Sequence, residues 1–266
     1  MNVGVIGAGR MGQPIIAHLA RKGFRTYVYD IDGGKRATVE ARGAQWAADL
    51  PTLAGASDVL LICVGYDEEL RALFPPLAGA ARKGAIVAVL STVHPKTVQE
   101  LARAYAERGI TVVDATMCRG GRAADEGTLL CFVAGDAGTV ERLRPVLGAF
   151  ASDIVPTGAV GSAQVAKAAN NLVLWACLVA DHEALALASR YGLDVDALRQ
   201  ALGISSAAND ALAKWGTQTM AWADDDMAIV AEMARECGLR LRQAEVTREI
   251  CRALKPHRYQ LDKYGR

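Results

Sequence analysis

Three glycines near the start of the chain limit what it can fold into. Residues 3–12 read VGVIGAGRMG, which places Gly7, Gly9 and Gly12 in a G-x-G-x-x-G pattern directly after a short apolar run. Each position has a physical reason. The first glycine permits a tight turn, the second lets backbone approach a diphosphate, and the third lets a helix pack closely on the strand. A helix over about Met11 to Lys22 then points its N–H groups and positive dipole end at that diphosphate. Glycine-rich turns are common, so the context matters. Phe24–Tyr29 reads as a second strand, and it ends at Asp30, about as far beyond the glycines as an acid must lie to bind an adenosine ribose. The pattern predicts a dinucleotide turn lined by Gly7, Gly9, Arg10, Met11, Gly12 and Asp30.

Asp30 also bears on which dinucleotide binds. A carboxylate there accepts the ribose hydroxyls of NAD and repels a 2′-phosphate. Asp32 adds a second negative charge, while Lys35 and Arg36 partly offset it. NAD is the expected cofactor, with NADP left open. The competing reading of Asp30 is a turn residue that ends a strand and carries no cofactor preference.

A chain of 266 residues suits one large domain or two ordinary ones. Its formal charge is +1, with Lys and Arg spread along the whole length, so nothing argues for nucleic acid or a polybasic membrane contact. The six cysteines form no C-x-x-C pair and no zinc-spaced cluster, and are expected to be buried small apolar residues with no metal bound. No signal sequence is expected at the first strand, and no apolar run is expected to be long enough to span a bilayer. A soluble, cytoplasmic protein is the expectation.

Two halves differ in character. Up to residue 160, short Val/Ile/Leu-rich runs alternate with helical patterns. The strand candidates are Val3–Ile6, Phe24–Tyr29, Val59–Val64, Ala85–Leu90, Thr111–Ala115, Leu129–Ala134 and Asp153–Val155. Several are apolar at every position, as expected of strands covered on both faces. Helical stretches such as Pro95–Arg108 and Ala137–Phe150 complete a βα alternation, hence an α/β domain over 1–160 with a doubly wound, mainly parallel sheet. Beyond Gly161 the strand signals stop. Ala163–Tyr191 lacks Gly and Pro and reads as one long helix, followed by helical patterns at Asp194–Leu202, Asp224–Cys237 and Leu241–Leu254. The expected second domain, 161–266, is therefore all-α and begins with that long helix.

Chemistry is expected near the start of the long helix. Lys167 and Asn171 are four residues apart and share a face, with Asn170 beside them. A lysine and a carboxamide on an Ala-rich stretch are costly unless they face a cleft or find partners. A lysine there can give a proton to an alkoxide or take one from an alcohol. The alternative is a solvated lysine beside a bridging pair of asparagines.

Four segments together resemble the beta-hydroxyacid dehydrogenases, the group that includes 3-hydroxyisobutyrate dehydrogenase and is related to 6-phosphogluconate dehydrogenase. They are VGVIGAGRMGQPIIAHLARKG at the glycine turn, DATMCRGGRAADEGTL at 114–129, GAVGSAQVAKAANN at 158–171 and DDMAIVAEMARECGL at 225–239. The resemblance implies an active site in a cleft between a Rossmann domain and an all-α domain that begins with a long interdomain helix. It implies reversible oxidation of a β-hydroxy acid to its semialdehyde or keto acid, by hydride transfer to a nicotinamide. Lys167 matches the family's catalytic lysine and Asn171 the amide that orients the substrate. Gly120 and Gly121 match the glycine pair whose N–H groups bind the substrate carboxylate. Val64 and Gly65 match the adenosine side of the cofactor path, and Ser91 and Thr92 the nicotinamide ribose side. Both of these last pairs lie at carboxyl ends of predicted strands, where doubly wound sheets bind ligands.

The chain departs from that pattern in places. Arg119 stands where the family has a serine before the glycine pair. It either points into the cleft and pairs with a substrate carboxylate, or points out as a solvated residue. Asp225-Asp226 replaces the family's Lys-Asp on the late helix; the run Asp224–Asp226 also reads as an acidic helix N-terminus. Trp215 and Trp222 are either core residues or the lining of a broader pocket. His94, His18 and His182 read as residues of helices or helix starts, and the tail Lys255–Arg266 as mobile or packed on a partner subunit. A homo-oligomer, dimer or tetramer, is expected from the Ala-rich long helix. Two alternatives to the hydroxy-acid reading are an imine or semialdehyde reductase on the same scaffold and a dinucleotide sensor without turnover.

Overall fold

The computed structural model describes residues 1–265. It divides into two compact units, Met1–Lys167 and Ala168–Arg266, and the strands all fall in the first. That unit opens with β1 (Asn2–Ile6), α1 (Gly12–Arg21), β2 (Arg25–Tyr29), α2 (Arg36–Ala41) and β3 (Gln45–Trp46). It continues through α3 (Leu50–Ala56), β4 (Val59–Ile62), α4 (Asp67–Ala80), β5 (Ile86–Val89) and α5 (Pro95–Ala106). Then come β6 (Thr111–Cys118), α6 (Gly120–Glu126), β7 (Leu129–Ala134), α7 (Ala137–Leu147) and β8 (Ala151–Gly158).

The strands form one sheet in the order β3-β2-β1-β4-β5-β6-β7-β8. Pairing is parallel from β3 to β6; β7 runs antiparallel to β6, and β8 parallel to β7. Crossovers in both directions from β1 build the doubly wound half of this order. Every residue of β4 and β5 is buried, as their unbroken apolar runs require. One core lies on the α1 and α7 face of the sheet, around Ile15, Leu19, Val140 and Leu143. The other lies under α3, α4 and α5, around Leu53, Phe74, Leu77 and Val98. Three strands differ from the sequence expectation. β3 has two residues and no apolar alternation to reveal it. β6 runs on to Cys118, where its last four residues pair with β7, and β8 extends over eight residues along the whole of β7.

The second unit is helical. Here α8 (Ser162–Arg190) starts in the first unit and continues as the first helix of the second, followed by α9 (Val195–Leu202), α10 (Asp210–Ala213), α11 (Ala223–Glu236) and α12 (Arg242–Leu254). Its core joins Trp175 and Leu178 of α8 to Met227 and Val230 of α11 and to Cys251 and Leu254 of α12.

Three expectations are corrected here. First, α8 does reach bilayer-spanning length: it has 29 residues, and its most apolar 18-residue window has a mean hydropathy of 1.5. By length and composition it could cross a membrane, and 39% of that window is buried within the chain. Second, the tail does not run free. Tyr259 donates its backbone N–H to Nε2 of His182 at 3.0 Å, and the Tyr264 hydroxyl donates to Glu183 at 2.9 Å, so the tail folds back on α8. Third, the cysteines are not uniformly buried, since Cys237 is exposed at the end of α11. Burial pushes the Cys63, Cys131 and Cys251 thiols up to about 12, which removes them as nucleophiles.

Candidate active site

The turn after β1 has little room for side chains at two of its glycines. Gly7 has φ +98°, and a Cβ there would stand 2.2 Å from the Cys63 carbonyl oxygen. A Cβ on Gly12 would stand 2.0 Å from the carbonyl oxygen of Gly7. A Cβ on Gly9, by contrast, meets nothing within 4 Å. Packing therefore demands two of the glycines, and the third leaves open space over the turn. No side chain caps α1 at Met11 and no acid occupies its first turn, which leaves the positive helix end to an external anion. These features fit a dinucleotide diphosphate.

Asp30 lies at the end of β2 and is buried. Its carboxylate accepts the N–H of Ala8 at 2.7 Å, the N–H of Asp32 at 2.9 Å, and Lys35 Nζ at 3.0 Å on both oxygens. Burial opposes its ionisation, but the N–H groups of Asp32 and Ala8 and the Lys35 ammonium outweigh burial and hold it below the usual carboxylate range. The acid is thus ionised, nearly neutralised by Lys35, and fixed to the glycine turn. Arg10 leaves that turn to make a bidentate pair with Asp125 of α6, at 2.8 and 2.6 Å. Its guanidinium lies over Gly121, where a Cβ would come within 2.7 Å of it.

The remaining expected cofactor residues sit at carboxyl ends of β4 and β5. Val64 donates its N–H to the Ser91 hydroxyl at 2.8 Å, joining the two loops. Gly65 donates its N–H to Glu69 at 2.8 Å, and Thr92 is half-buried beside Ser91.

At the end of β6 the chain turns through two consecutive left-handed residues, Arg119 (φ 82°) and Gly120 (φ 76°), into α6. A Cβ on Gly120 meets nothing within 4 Å. The Arg119 side chain does not follow Gly120. Its Nη1 donates to Asp153 at 2.7 Å, Ser152 at 2.9 Å and the Thr128 carbonyl at 3.0 Å. Of the two orientations open in the sequence, this is the outward one, because β8 supplies a carboxylate within reach.

The start of α8 carries the polar residues. Lys167 is half-buried and has no hydrogen-bond or ion-pair partner among the described residues. One turn on, Asn171 is 2% exposed; its carbonyl accepts from Asn170 at 3.0 Å, while its Nδ2 is buried without a partner. At about 100° per residue, Lys167 and Asn171 point roughly opposite to exposed Val165, Val173, Leu187 and Tyr191. Asp114 of β6 is fully buried and accepts the N–H groups of Gly161 and Gln164 at the start of α8. Burial pushes Asp114 above the usual carboxylate range, against those N–H bonds. Sequence reasoning missed Asp114 and its neighbour Gln164, although a charge inside the apolar run VVDATM was a signal.

The late acidic cluster lies in the first turn of α11. There Asp224 pairs with Arg248 and Arg252, and Asp226 accepts from Trp175 Nε1 at 3.0 Å. Trp215 packs on the helical core with His182 and Tyr259, whereas Trp222 is 55% exposed.

Residues 2–161 match the model for the NAD binding domain of 6-phosphogluconate dehydrogenase, and residues 161–263 the model described as NAD-binding of NADP-dependent 3-hydroxyisobutyrate dehydrogenase. The chain is similar to 2-(hydroxymethyl)glutarate dehydrogenase of Eubacterium barkeri, with 31% identity over 77% of this chain and 69% of that one. It is similar to 3-hydroxyisobutyrate dehydrogenase of Pseudomonas aeruginosa, with 32% identity over 79% of this chain and 72% of that one. Among solved structures, Mycobacterium tuberculosis 3-hydroxyisobutyrate dehydrogenase with L-serine superposes at a TM-score of 0.88. It shares 23% identity and spans 96% of this chain and 94% of that one, which speaks for a shared fold.

Proposed function

The chain belongs to the beta-hydroxyacid dehydrogenase family and is a nicotinamide-dependent oxidoreductase, and on that premise we propose that it reversibly oxidises a β-hydroxy acid with Lys167 as the proton carrier. The observation that carries the reading is Asn171. A buried amide donor without a partner costs about 1–3 kcal/mol, a cost that a substrate hydroxyl removes. It lies one helical turn from Lys167, itself without a partner among the described residues.

The residues divide the work as follows. Gly7, Gly9, Gly12 and the open end of α1 hold the dinucleotide diphosphate, and Asp30 takes the adenosine ribose. Val64, Gly65, Ser91 and Thr92 border the rest of the cofactor. When bound, the nicotinamide supplies the hydride acceptor. The N–H groups of Gly120 and Gly121 take the substrate carboxylate. Asn171 orients the hydroxyl, and Lys167 Nζ accepts its proton as the C–H bond gives up its hydride. In the reverse direction Lys167 returns the proton to the alkoxide oxygen. NAD is the preferred dinucleotide, because the Asp30 carboxylate opposes a 2′-phosphate. Lys35 softens that preference.

A second copy of this chain is the partner we infer. The face of α8 opposite Lys167 exposes Val173 by 62% and Leu187 by 61%, with Tyr191 just past its end 80% exposed, interleaved with alanines that permit close helix contact. Light scattering tests it: the parent is expected to be oligomeric, and Val173→Glu with Leu187→Glu monomeric. A monomeric parent overturns it.

The functional test is reduction of NAD by 3-hydroxyisobutyrate, L-serine and 2-(hydroxymethyl)glutarate, followed by the absorbance of the reduced cofactor. Oxidation of at least one supports the reading. No turnover of any, with NADH still bound, overturns it in favour of an imine or semialdehyde reductase or a sensor.

A further inference from the structure

The carboxylate of Asp114 is used twice by the start of α8. Its Oδ1 accepts the N–H of Gly161 at 2.8 Å, and its Oδ2 accepts the N–H of Gln164 at 2.9 Å. The residue is 0% exposed, and no cation pairs with it among the described residues. Helix capping alone does not call for this. A surface serine or threonine supplies one such bond and about 1 kcal/mol, while an ionised carboxylate costs several kcal/mol to bury. What the carboxylate adds is a two-point attachment. Bonds to N–H groups three residues apart fix the height of the first turn and also its roll about the helix axis. Lys167 follows Gln164 by three residues, so it inherits that roll.

Neighbouring bonds hold the same turn. Thr116 lies two residues along β6, on the same face as Asp114, and donates its hydroxyl to the Ala163 carbonyl at 3.0 Å. The Gln164 side chain donates to the Ser91 carbonyl at 2.8 Å and accepts the Val93 N–H at 3.1 Å. Ser91 in turn accepts the N–H of Val64. The first turn of α8 is therefore hydrogen-bonded to the same loops that border the dinucleotide.

We propose that Asp114 is a positioning residue for the reaction, acting through Gly161 and Gln164 to set the direction in which Lys167 points. The inference rests on the assignment of the proton carrier to Lys167. It gives the buried acid a purpose that stabilising the fold does not require, and it makes the cofactor-bordering loops and the proton-carrying helix one hydrogen-bonded frame.

The test is a double-mutant cycle on the full chain, with NAD and whichever of the three acids is oxidised fastest. Asp114→Asn keeps the shape but turns an amide N–H towards one of the two backbone donors. Turnover is expected to fall roughly tenfold or more, with the affinity for NADH within about threefold of the parent. In the Lys167→Ala background the same substitution is expected to cost nothing further, because groups that act as a unit are not additive. Thr116→Val is a gentler route should Asp114→Asn fold poorly; it is expected to give a smaller loss with the same non-additivity. Equal fold-losses in the parent and Lys167→Ala backgrounds would overturn the proposal. So would parental turnover in a folded Asp114→Asn protein. Undiminished turnover in Lys167→Ala alone, or no turnover of any acid by the parent, removes the functional reading itself and is thereby distinguished from failure of the positioning role.

Discussion

The carboxylate of Asp30 accepts the backbone N–H of Ala8 at 2.7 Å, so the acid at the end of β2 and the glycine turn after β1 move as one piece. In Asp30→Ala the turn loses an internal acceptor as well as the acid we assign to the ribose, leaving the Ala8 N–H unpaired at about 1–3 kcal/mol. Calorimetric titration is expected to show NADH binding weakened roughly tenfold or more. Turnover at saturating cofactor is expected to change far less. Unchanged affinity would remove Asp30 from the cofactor site.

Lys35 sits on both oxygens of Asp30 at 3.0 Å and screens its charge. Lys35→Ala exposes the full carboxylate charge to a 2′-phosphate, an added repulsion of about 1 kcal/mol in a half-exposed site. The ratio of kcat/KM for NAD over NADP is expected to rise roughly fivefold. A fall in that ratio would mean that Lys35 instead recognises the 2′-phosphate.

Arg119 spends its guanidinium on Asp153, Ser152 and the Thr128 carbonyl. Arg119→Ala removes a half-exposed ion pair worth about 0–1 kcal/mol. The expected outcome is a lower melting temperature and a KM for the hydroxy acid within about fivefold of the parent. A hundredfold rise in KM would return Arg119 to the substrate.

His182 gives the helical unit a pH dependence. Its Nδ1–H donates to the Leu178 carbonyl at 2.7 Å and its Nε2 accepts from the Tyr259 N–H, an arrangement only the neutral ring can make. Burial lowers its basicity below the ordinary histidine value, against the Leu178 bond, which raises it. The unfolded chain takes up the proton near about pH 6.5 and the folded chain only at lower pH. The stability is therefore present above about pH 6.5 and lost as pH falls through the folded value. Melting temperature is expected to drop between about pH 7.5 and about pH 5.5, and to drop less in His182→Gln. Equal drops in parent and variant would contradict this assignment.

Much of the fold was legible because its signals are local. The runs VLLI and IVAV are apolar at every position, and those strands are buried on both faces. The long helix could be read from the absence of Gly and Pro over residues 163–191, and the structure gives Ser162–Arg190. Strand β3 left no trace, since two residues at a sheet edge need no pattern. The sequence could not choose a direction for Arg119, because Asp153 is distant in sequence and becomes its neighbour only when β8 pairs with β7. Asp114 was passed over for a similar reason. A charge inside a strand has no visible use until Gly161 and Gln164, some fifty residues later, arrive to bond it. The tail resisted reading because Tyr259 and Tyr264 depend on the imidazole and carboxylate of His182 and Glu183, about eighty residues away.

The central claim is that Lys167 carries the proton as a hydroxy acid gives its hydride to the nicotinamide. The most direct measurement is the turnover of Lys167→Ala beside the parent, with NAD and the best of the three hydroxy acids, once NADH titration has shown that both bind cofactor alike. Loss of a general acid–base is expected to lower kcat roughly 10²–10⁴-fold. Turnover near that of the parent would contradict the account.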